Sequence, residues 1–137
     1  IKRRTRKMPS FSKVSRQRLS TVDPKLQRIL EKAIERFDFS VLCGHRTKED
    51  QDKAFNDGFS KVAFPNSKHN SFPSMAVDIA PWPIDWNDRE RFYYMAGVVV
   101  TVAAEMGIPI RWGGNWDMDF DLRNGGSFLD LPHFELV

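Results

Sequence analysis

Three candidate metal ligands, His69, Asp78 and His133, constrain the fold of this chain more than any other feature. Two imidazoles and one carboxylate form a donor set that suits a tetrahedral divalent ion, zinc first. Three protein ligands leave the fourth position open, which is typical of a catalytic zinc site and not of a structural one. The sequence therefore predicts one catalytic zinc ion and a fold that brings these distant segments together.

Two further charged residues fit the chemistry of such a site. Asp130 lies three residues before His133, and Pro132 between them disfavours a helical turn, so we expect the carboxylate on a turn beside the metal. There it can act as the base for an attacking water. Arg46 carries a permanent charge that can stabilise an oxyanion. Taken alone, each is equally well explained as an ordinary turn or surface residue.

The composition indicates one folded domain. The chain has 137 residues, 41% of them hydrophobic and 12% aromatic, which is enough to build a core. The single cysteine, Cys43, excludes an intrachain disulfide, and its apolar surroundings predict a buried, unreactive thiol. The four tryptophans either line a cleft or pack in the core; they are Trp82, Trp86, Trp112 and Trp116.

Positive charge is concentrated at the amino terminus. Residues 1–18 hold eight of the 21 basic residues and no acidic residue, and the remainder has a net charge of −5. We therefore expect a flexible basic arm over residues 1–20 and a single domain over residues 21–137. The arm either contacts an anionic envelope surface or is a passive tail. Nucleic-acid binding is not expected, because it leaves the His and Asp residues unexplained. The basic residues are Lys2, Arg3, Arg4, Arg6, Lys7, Lys13, Arg16 and Arg18.

Hydrophobic periodicity and capping signals predict an α+β fold with helices packed against a small sheet. Asp23 followed by Pro24 is a strong helix start, and Thr47 can cap a second helix. Alternation over residues 75–80 places Asp78 on one strand face between two alanines, which leaves room for an ion. The predicted elements are helices over 24–37, 47–58 and about 87–107, and strands over 39–43, 75–80, 108–112 and 132–136.

Four short motifs resemble those of the zinc D,D-/L,D-peptidases of peptidoglycan. They are Gly44-x-Arg46-Thr47, Ser67-x-His69, Ala76-Val77-Asp78-Ile79 and Asp130-x-x-His133. The resemblance runs from about Asp23 to Val137 and is closest to phage L-alanyl-D-glutamate endopeptidases, the endolysins. The segment between His69 and Asp78 is longer than is usual in the family, and we interpret it as a subgroup loop.

The resemblance implies a largely antiparallel sheet with the zinc site in a cleft. It implies that Asp130 is the general base, that Arg46 is catalytic and that Ser67 binds substrate. The implied reaction is hydrolysis of the L-Ala–D-Glu bond of the peptidoglycan stem peptide, leading to host cell lysis. The alternative is a D-Ala-D-Ala carboxypeptidase or dipeptidase, which needs a group that binds a free carboxylate, whereas an endopeptidase needs an open cleft.

The sequence shows neither a signal peptide nor an apolar stretch long enough to span a bilayer. We therefore expect a monomer that is made in the host cytoplasm and reaches the cell wall after release by another factor.

Overall fold

The computed structural model describes residues 8–119 and 129–137. This part of the chain contains four helices and four strands, which are interleaved along the sequence. In order they are α1 (Lys13–Leu19), α2 (Pro24–Ala33), β1 (Phe39–Cys43), α3 (Lys48–Asn56), β2 (Ala76–Pro81), α4 (Arg89–Glu105), β3 (Ile110–Trp112) and β4 (His133–Leu136).

The four strands form one antiparallel sheet in the order β1-β2-β4-β3. The α+β fold with an antiparallel sheet is therefore confirmed. Asp78 pairs with His133 across the two central strands, and Cys43 pairs with Asp78 on the other side. Directly paired residues of antiparallel strands carry their side chains on the same face. The sheet register thus brings together two segments that lie far apart in the sequence.

The predicted helix starts are present. The Asp23 side chain accepts a hydrogen bond from the Lys25 N–H at 2.8 Å, and Pro24 occupies the first helical position of α2. The Thr47 side chain accepts a hydrogen bond from the Asp50 N–H at 3.2 Å and caps α3. The buried face of α2 packs on α4, and both helices contribute to the core beneath the sheet.

The expectation of a flexible arm over residues 1–20 is wrong for its described part. Residues 13–19 form α1, which packs against β1. Phe11, Ser15 and Leu19 are buried at four-residue spacing, and the Ser15 hydroxyl accepts a hydrogen bond from the Val41 N–H at 3.0 Å. The helix was missed because a serine occupies the middle of its buried stripe. The other five basic residues of the predicted arm, at positions 2–7, lie outside the described residues.

The longest helix is α4, with 17 residues and charged side chains at both ends. Within residues 8–119 and 129–137, no helix is long and apolar enough to cross a membrane.

Candidate active site

Three predicted ligands meet at the centre of the sheet. Asp78 comes from β2 and His133 is the first residue of β4, while the loop before β2 delivers His69. Asp78 Oδ1 lies 3.3 Å from His69 Nε2 and 3.1 Å from His133 Nδ1. Both histidines are almost completely buried. One oxygen of Asp78 thus lies within 3.3 Å of a nitrogen of each histidine.

The spacing of these atoms fits a metal ion. Ligands about 2.0–2.1 Å from a tetrahedral zinc ion are roughly 3.3–3.4 Å apart, close to the two observed separations. His69 Nε2 is buried and has no hydrogen-bond partner, although a buried polar atom is normally paired. Two nitrogens, of which this unpartnered atom is one, and one carboxylate oxygen make a donor set that suits zinc.

The backbone sets the orientation of His69. Its Nδ1 lies 2.8 Å from the Gly44 carbonyl oxygen. A carbonyl only accepts, so Nδ1 carries a proton, and Nε2 is the nitrogen that faces Asp78 and is available to a metal. Gly44 packs too closely for a side chain, since an added Cβ would lie 2.5 Å from the Arg18 carbonyl oxygen. The turn after β1 therefore needs glycine in order to hold this carbonyl in place.

A carboxylate that the sequence analysis missed sets the orientation of His133. His133 Nε2 lies 2.8 Å from Glu135 Oε1, so Nε2–H donates and Nδ1 is left for a metal. Glu135 is 8% exposed, and its second oxygen lies 3.3 Å from Lys68 Nζ and 3.7 Å from a guanidinium nitrogen of Arg111. The two-residue spacing could have identified Glu135 from the sequence, because residues 133 and 135 share one face of a strand.

Two groups of potential metal ligands share Asp78: one adds Cys43 and His69, and the other adds Asp130 and His133. The Cys43 sulfur lies 3.9 Å from His69 Nδ1, the nitrogen that already donates to the backbone. The atoms facing Asp78 are on the opposite side of the imidazole. Either Cys43 or His133 could complete a set of ligands with His69 and Asp78. The third histidine, His45, places Nδ1 2.9 Å from the Ser71 carbonyl oxygen.

Asp130 lies beside the cluster, with Oδ2 3.9 Å from His133 Nδ1. Its N–H donates to the Gly113 carbonyl oxygen at 2.9 Å, and the Gly113 N–H donates to the His133 carbonyl oxygen at 2.8 Å. An added Cβ on Gly113 would lie only 2.0 Å from the Asp130 carbonyl oxygen. Burial and the negative charge of Asp78 raise the pKa of Asp130 to about 6, a value suited to a base at neutral pH.

Arg46 and Ser67 lie at the same site. A guanidinium nitrogen of Arg46 is 3.5 Å from Asp78 Oδ2, on the carboxylate oxygen that faces away from the histidines. The Arg46 N–H donates to the His69 carbonyl oxygen at 2.8 Å. The Ser67 hydroxyl oxygen accepts from the His69 N–H at 3.2 Å, so this serine shapes the loop that carries the imidazole.

The pKa values of the three central groups are coupled. Burial opposes charge on His69, but the nearby Asp78 carboxylate and the Cys43 sulfur outweigh it and raise the pKa to about 10. For His133, hydrogen bonds to Asp78 and Glu135 overcome burial and raise the pKa to about 8. The same hydrogen bonds from His133 and His69 overcome burial of Asp78 and hold its pKa well below the usual range. The Asp78 carboxylate therefore favours positive charge on the histidine side of the cluster.

A cleft of about 930 Å³ opens over the cluster. Its floor contains Asp78 and both candidate histidine ligands, and its walls include Trp86 and Trp116. The Trp116 ring packs against His133 with centroids 5.2 Å apart. Trp112 is instead part of the core and Trp82 is exposed away from the cleft. The tryptophans therefore divide between the two roles considered from the sequence.

Comparison with known proteins agrees with this geometry. Residues 8–137 match the phage L-alanyl-D-glutamate peptidase family. The L-alanyl-D-glutamate peptidase of Escherichia phage T5 is 33% identical over 135 residues, which cover 93% of this chain and 97% of the relative. The crystal structure of the L-Ala D-Glu endopeptidase ChiX of Serratia marcescens superposes with a TM-score of 0.74 at 29% identity, covering 90% of this chain and 86% of that one.

The α+β fold and the cleft with its acid and histidine cluster define a peptidase. The chain belongs to the phage L-alanyl-D-glutamate peptidase family, and the family predicted from the four sequence motifs is confirmed.

Proposed function

We propose that this protein is a zinc-dependent endopeptidase that hydrolyses the L-Ala–D-Glu bond of peptidoglycan stem peptides. The observation that carries the proposal is the convergence of His69 Nε2 and His133 Nδ1 on one oxygen of Asp78, at 3.3 and 3.1 Å. These three residues would hold the ion. When bound, zinc acts as a Lewis acid that acidifies water and polarises a carbonyl oxygen.

Asp130 moves the proton. Its carboxylate oxygen lies 3.9 Å from His133 Nδ1. The Asp78 oxygen is closer to the same nitrogen, at 3.1 Å. With a pKa of about 6, Asp130 is ionised at neutral pH and can take a proton from the attacking water. The protonated acid then donates to the leaving amine of D-Glu. A bound dication lowers this pKa further, so we expect activity to fall only at or below about pH 6.

Arg46 stabilises the negative charge that forms on the former carbonyl oxygen. Its guanidinium lies at the cleft edge of Asp78, 3.5 Å from Oδ2. A fixed cation in a partly buried site stabilises an oxyanion better than water does, because it needs no reorganisation during the reaction. Ser67 lines the same cleft and offers its hydroxyl proton to a substrate carbonyl while its oxygen holds the His69 loop.

The shape of the cleft favours an endopeptidase. The cavity is large enough for several residues of an extended peptide and has both polar and aromatic walls. Its basic residues include Lys61 and Arg89, which complement the acidic stem peptide. We further propose that the five basic residues at positions 2–7 attract the protein to anionic envelope surfaces.

Digestion of purified sacculi tests the proposed reaction. Mass spectrometry of the products should find new amino-terminal D-Glu and carboxyl-terminal L-Ala. The matched control is Asp130→Asn, which keeps the size of the side chain and should keep the metal ligands. Release of free D-Ala without new D-Glu amino termini would identify a carboxypeptidase and overturn the proposal.

A further inference from the structure

Gln51 in α3 is completely buried, and every polar group of its side chain is paired. Its amide oxygen accepts hydrogen bonds from Arg46 at 3.0 Å and from Asn70 at 3.2 Å. Its amide nitrogen donates to the Ser60 hydroxyl at 2.9 Å and to the Val62 carbonyl oxygen at 2.7 Å. Two donors and two acceptor lone pairs are all that a glutamine amide has.

The partners of Gln51 belong to separate parts of the cleft. Asn70 follows His69 directly, and its amide also donates to the Arg46 carbonyl oxygen at 3.1 Å. Ser60 and Val62 form part of the cleft wall. One side chain therefore joins the arginine, the histidine loop and the wall.

We propose that Gln51 is a positioning residue: its neutral amide holds the Arg46 guanidinium beside Asp78 without cancelling its charge, and its other end fixes the cleft wall. This inference rests on the proposed function, in which Arg46 stabilises the oxyanion. The ion pair between Arg46 and Asp78 is loose at 3.5 Å, so it does not by itself hold a long side chain in one rotamer. The hydrogen bond to Gln51 supplies the missing restraint on the other guanidinium nitrogen.

The choice of a neutral acceptor has a chemical consequence. A carboxylate at position 51 would hold Arg46 equally well but would pair its charge, as Asp78 already does in part. An amide accepts the same hydrogen bond and leaves the positive charge available for the substrate oxygen. Glutamine thus combines a fixed position with a free charge.

A double-mutant cycle on zinc-loaded protein with a soluble muropeptide substrate tests the proposal. Gln51→Met has a similar length but no acceptor, and a displaced Arg46 should lower kcat by up to about 10²-fold while one zinc ion per chain remains bound. Arg46→Ala should lower kcat by itself. If Gln51 acts through Arg46, the double variant should be no slower than Arg46→Ala. Lys53→Met is the matched control, since it places the same side chain at an exposed position of α3 that does not line the cleft; it should leave kcat and KM close to those of the wild type.

Gln51→Glu keeps the acceptor that faces Arg46 but loses the donor to the Val62 carbonyl oxygen, so some loss of thermal stability is expected. In the folded, zinc-loaded protein its kcat should still fall, whereas a purely structural role predicts normal turnover in any folded variant. Normal kcat in Gln51→Glu, or losses that multiply in the double variant, would overturn the inference. Normal kcat in Arg46→Ala would instead overturn the role proposed for Arg46.

Discussion

His133 donates its Nε2–H to Glu135, two residues further along the same strand, at 2.8 Å. This bond fixes the tautomer that leaves Nδ1 free on the side of Asp78. Glu135 is itself held by Lys68 and faces Arg111, and the net effect of its partners is to keep its pKa below the usual range despite burial. It therefore stays ionised and makes His133 a better ligand.

Removing this carboxylate should weaken the metal site. Glu135→Ala should lower zinc affinity by about 10- to 100-fold, the usual effect of losing the partner of a ligating histidine. Glu135→Gln should lower it less, since the amide oxygen still accepts the hydrogen bond. Competition with a chromogenic chelator measures the affinity. Glu31→Gln, on the exposed face of α2, is the control. Unchanged affinity in Glu135→Ala would remove Glu135 from the site.

Zinc binding should release protons. The raised pKa values of His69, about 10, and His133, about 8, mean that both carry a proton at pH 7 before metal binds. A metal ligand must be deprotonated, so about two protons should leave per zinc ion. The decimal logarithm of the zinc association constant should then rise by about two per pH unit below pH 8, and by about one per pH unit between pH 8 and 10.

Calorimetry in buffers of different ionisation enthalpy counts the released protons. Histidines with an ordinary pKa near 6.5 would together release roughly half a proton at pH 7. A count of that size would contradict the coupling of the histidines to Asp78.

The contact between Gly113 and Asp130 should control turnover without affecting metal binding. In Gly113→Ala the new Cβ would lie 2.0 Å from the Asp130 carbonyl oxygen, and backbone has to move to relieve the clash. A displaced base should cost on the order of 10²-fold in kcat, with zinc content unchanged. Gly97→Ala is the control, because a Cβ there meets nothing within 4 Å. Equal turnover by both alanine variants would show that the position of Asp130 is not critical.

Helix α1 should contribute to stability as part of the core. Leu19 is 3% exposed, and Leu19→Ala should cost about 2–5 kcal/mol of unfolding free energy. Val14 lies on the same helix but is 51% exposed, so Val14→Ala should cost far less. Denaturant unfolding of the two variants measures the difference. Equal stability would mean that α1 is a dispensable arm after all.

Much of the fold could be predicted from local signals. The capping residues Asp23 and Thr47 predicted where α2 and α3 begin, and alternation along β2 placed Asp78 on a strand. The motifs brought His69, Asp78 and His133 into one hypothesis because their chemistry is specific. The capping and alternation signals each lie within a few neighbouring residues. The motifs contain histidines and aspartates in a combination that has few explanations other than metal binding.

The missed features depend on contacts between distant segments. Ser15 is polar, and only its bond to the β1 backbone explains its place in the core. Gln51 is one polar residue in a polar helix until the loops at Ser60 and Asn70 fold against it. Strand periodicity could have placed Glu135 on the same face as His133. Its importance, however, depends on which nitrogen of His133 faces Asp78.

The central claim is that one zinc ion is held by His69, Asp78 and His133. Anomalous diffraction at the zinc edge, from crystals of the zinc-loaded protein, tests it most directly. A single peak is predicted about 2.0–2.2 Å from His69 Nε2, Asp78 Oδ1 and His133 Nδ1. A peak bonded to the Cys43 sulfur, or no peak at this cluster in fully active protein, would contradict the account.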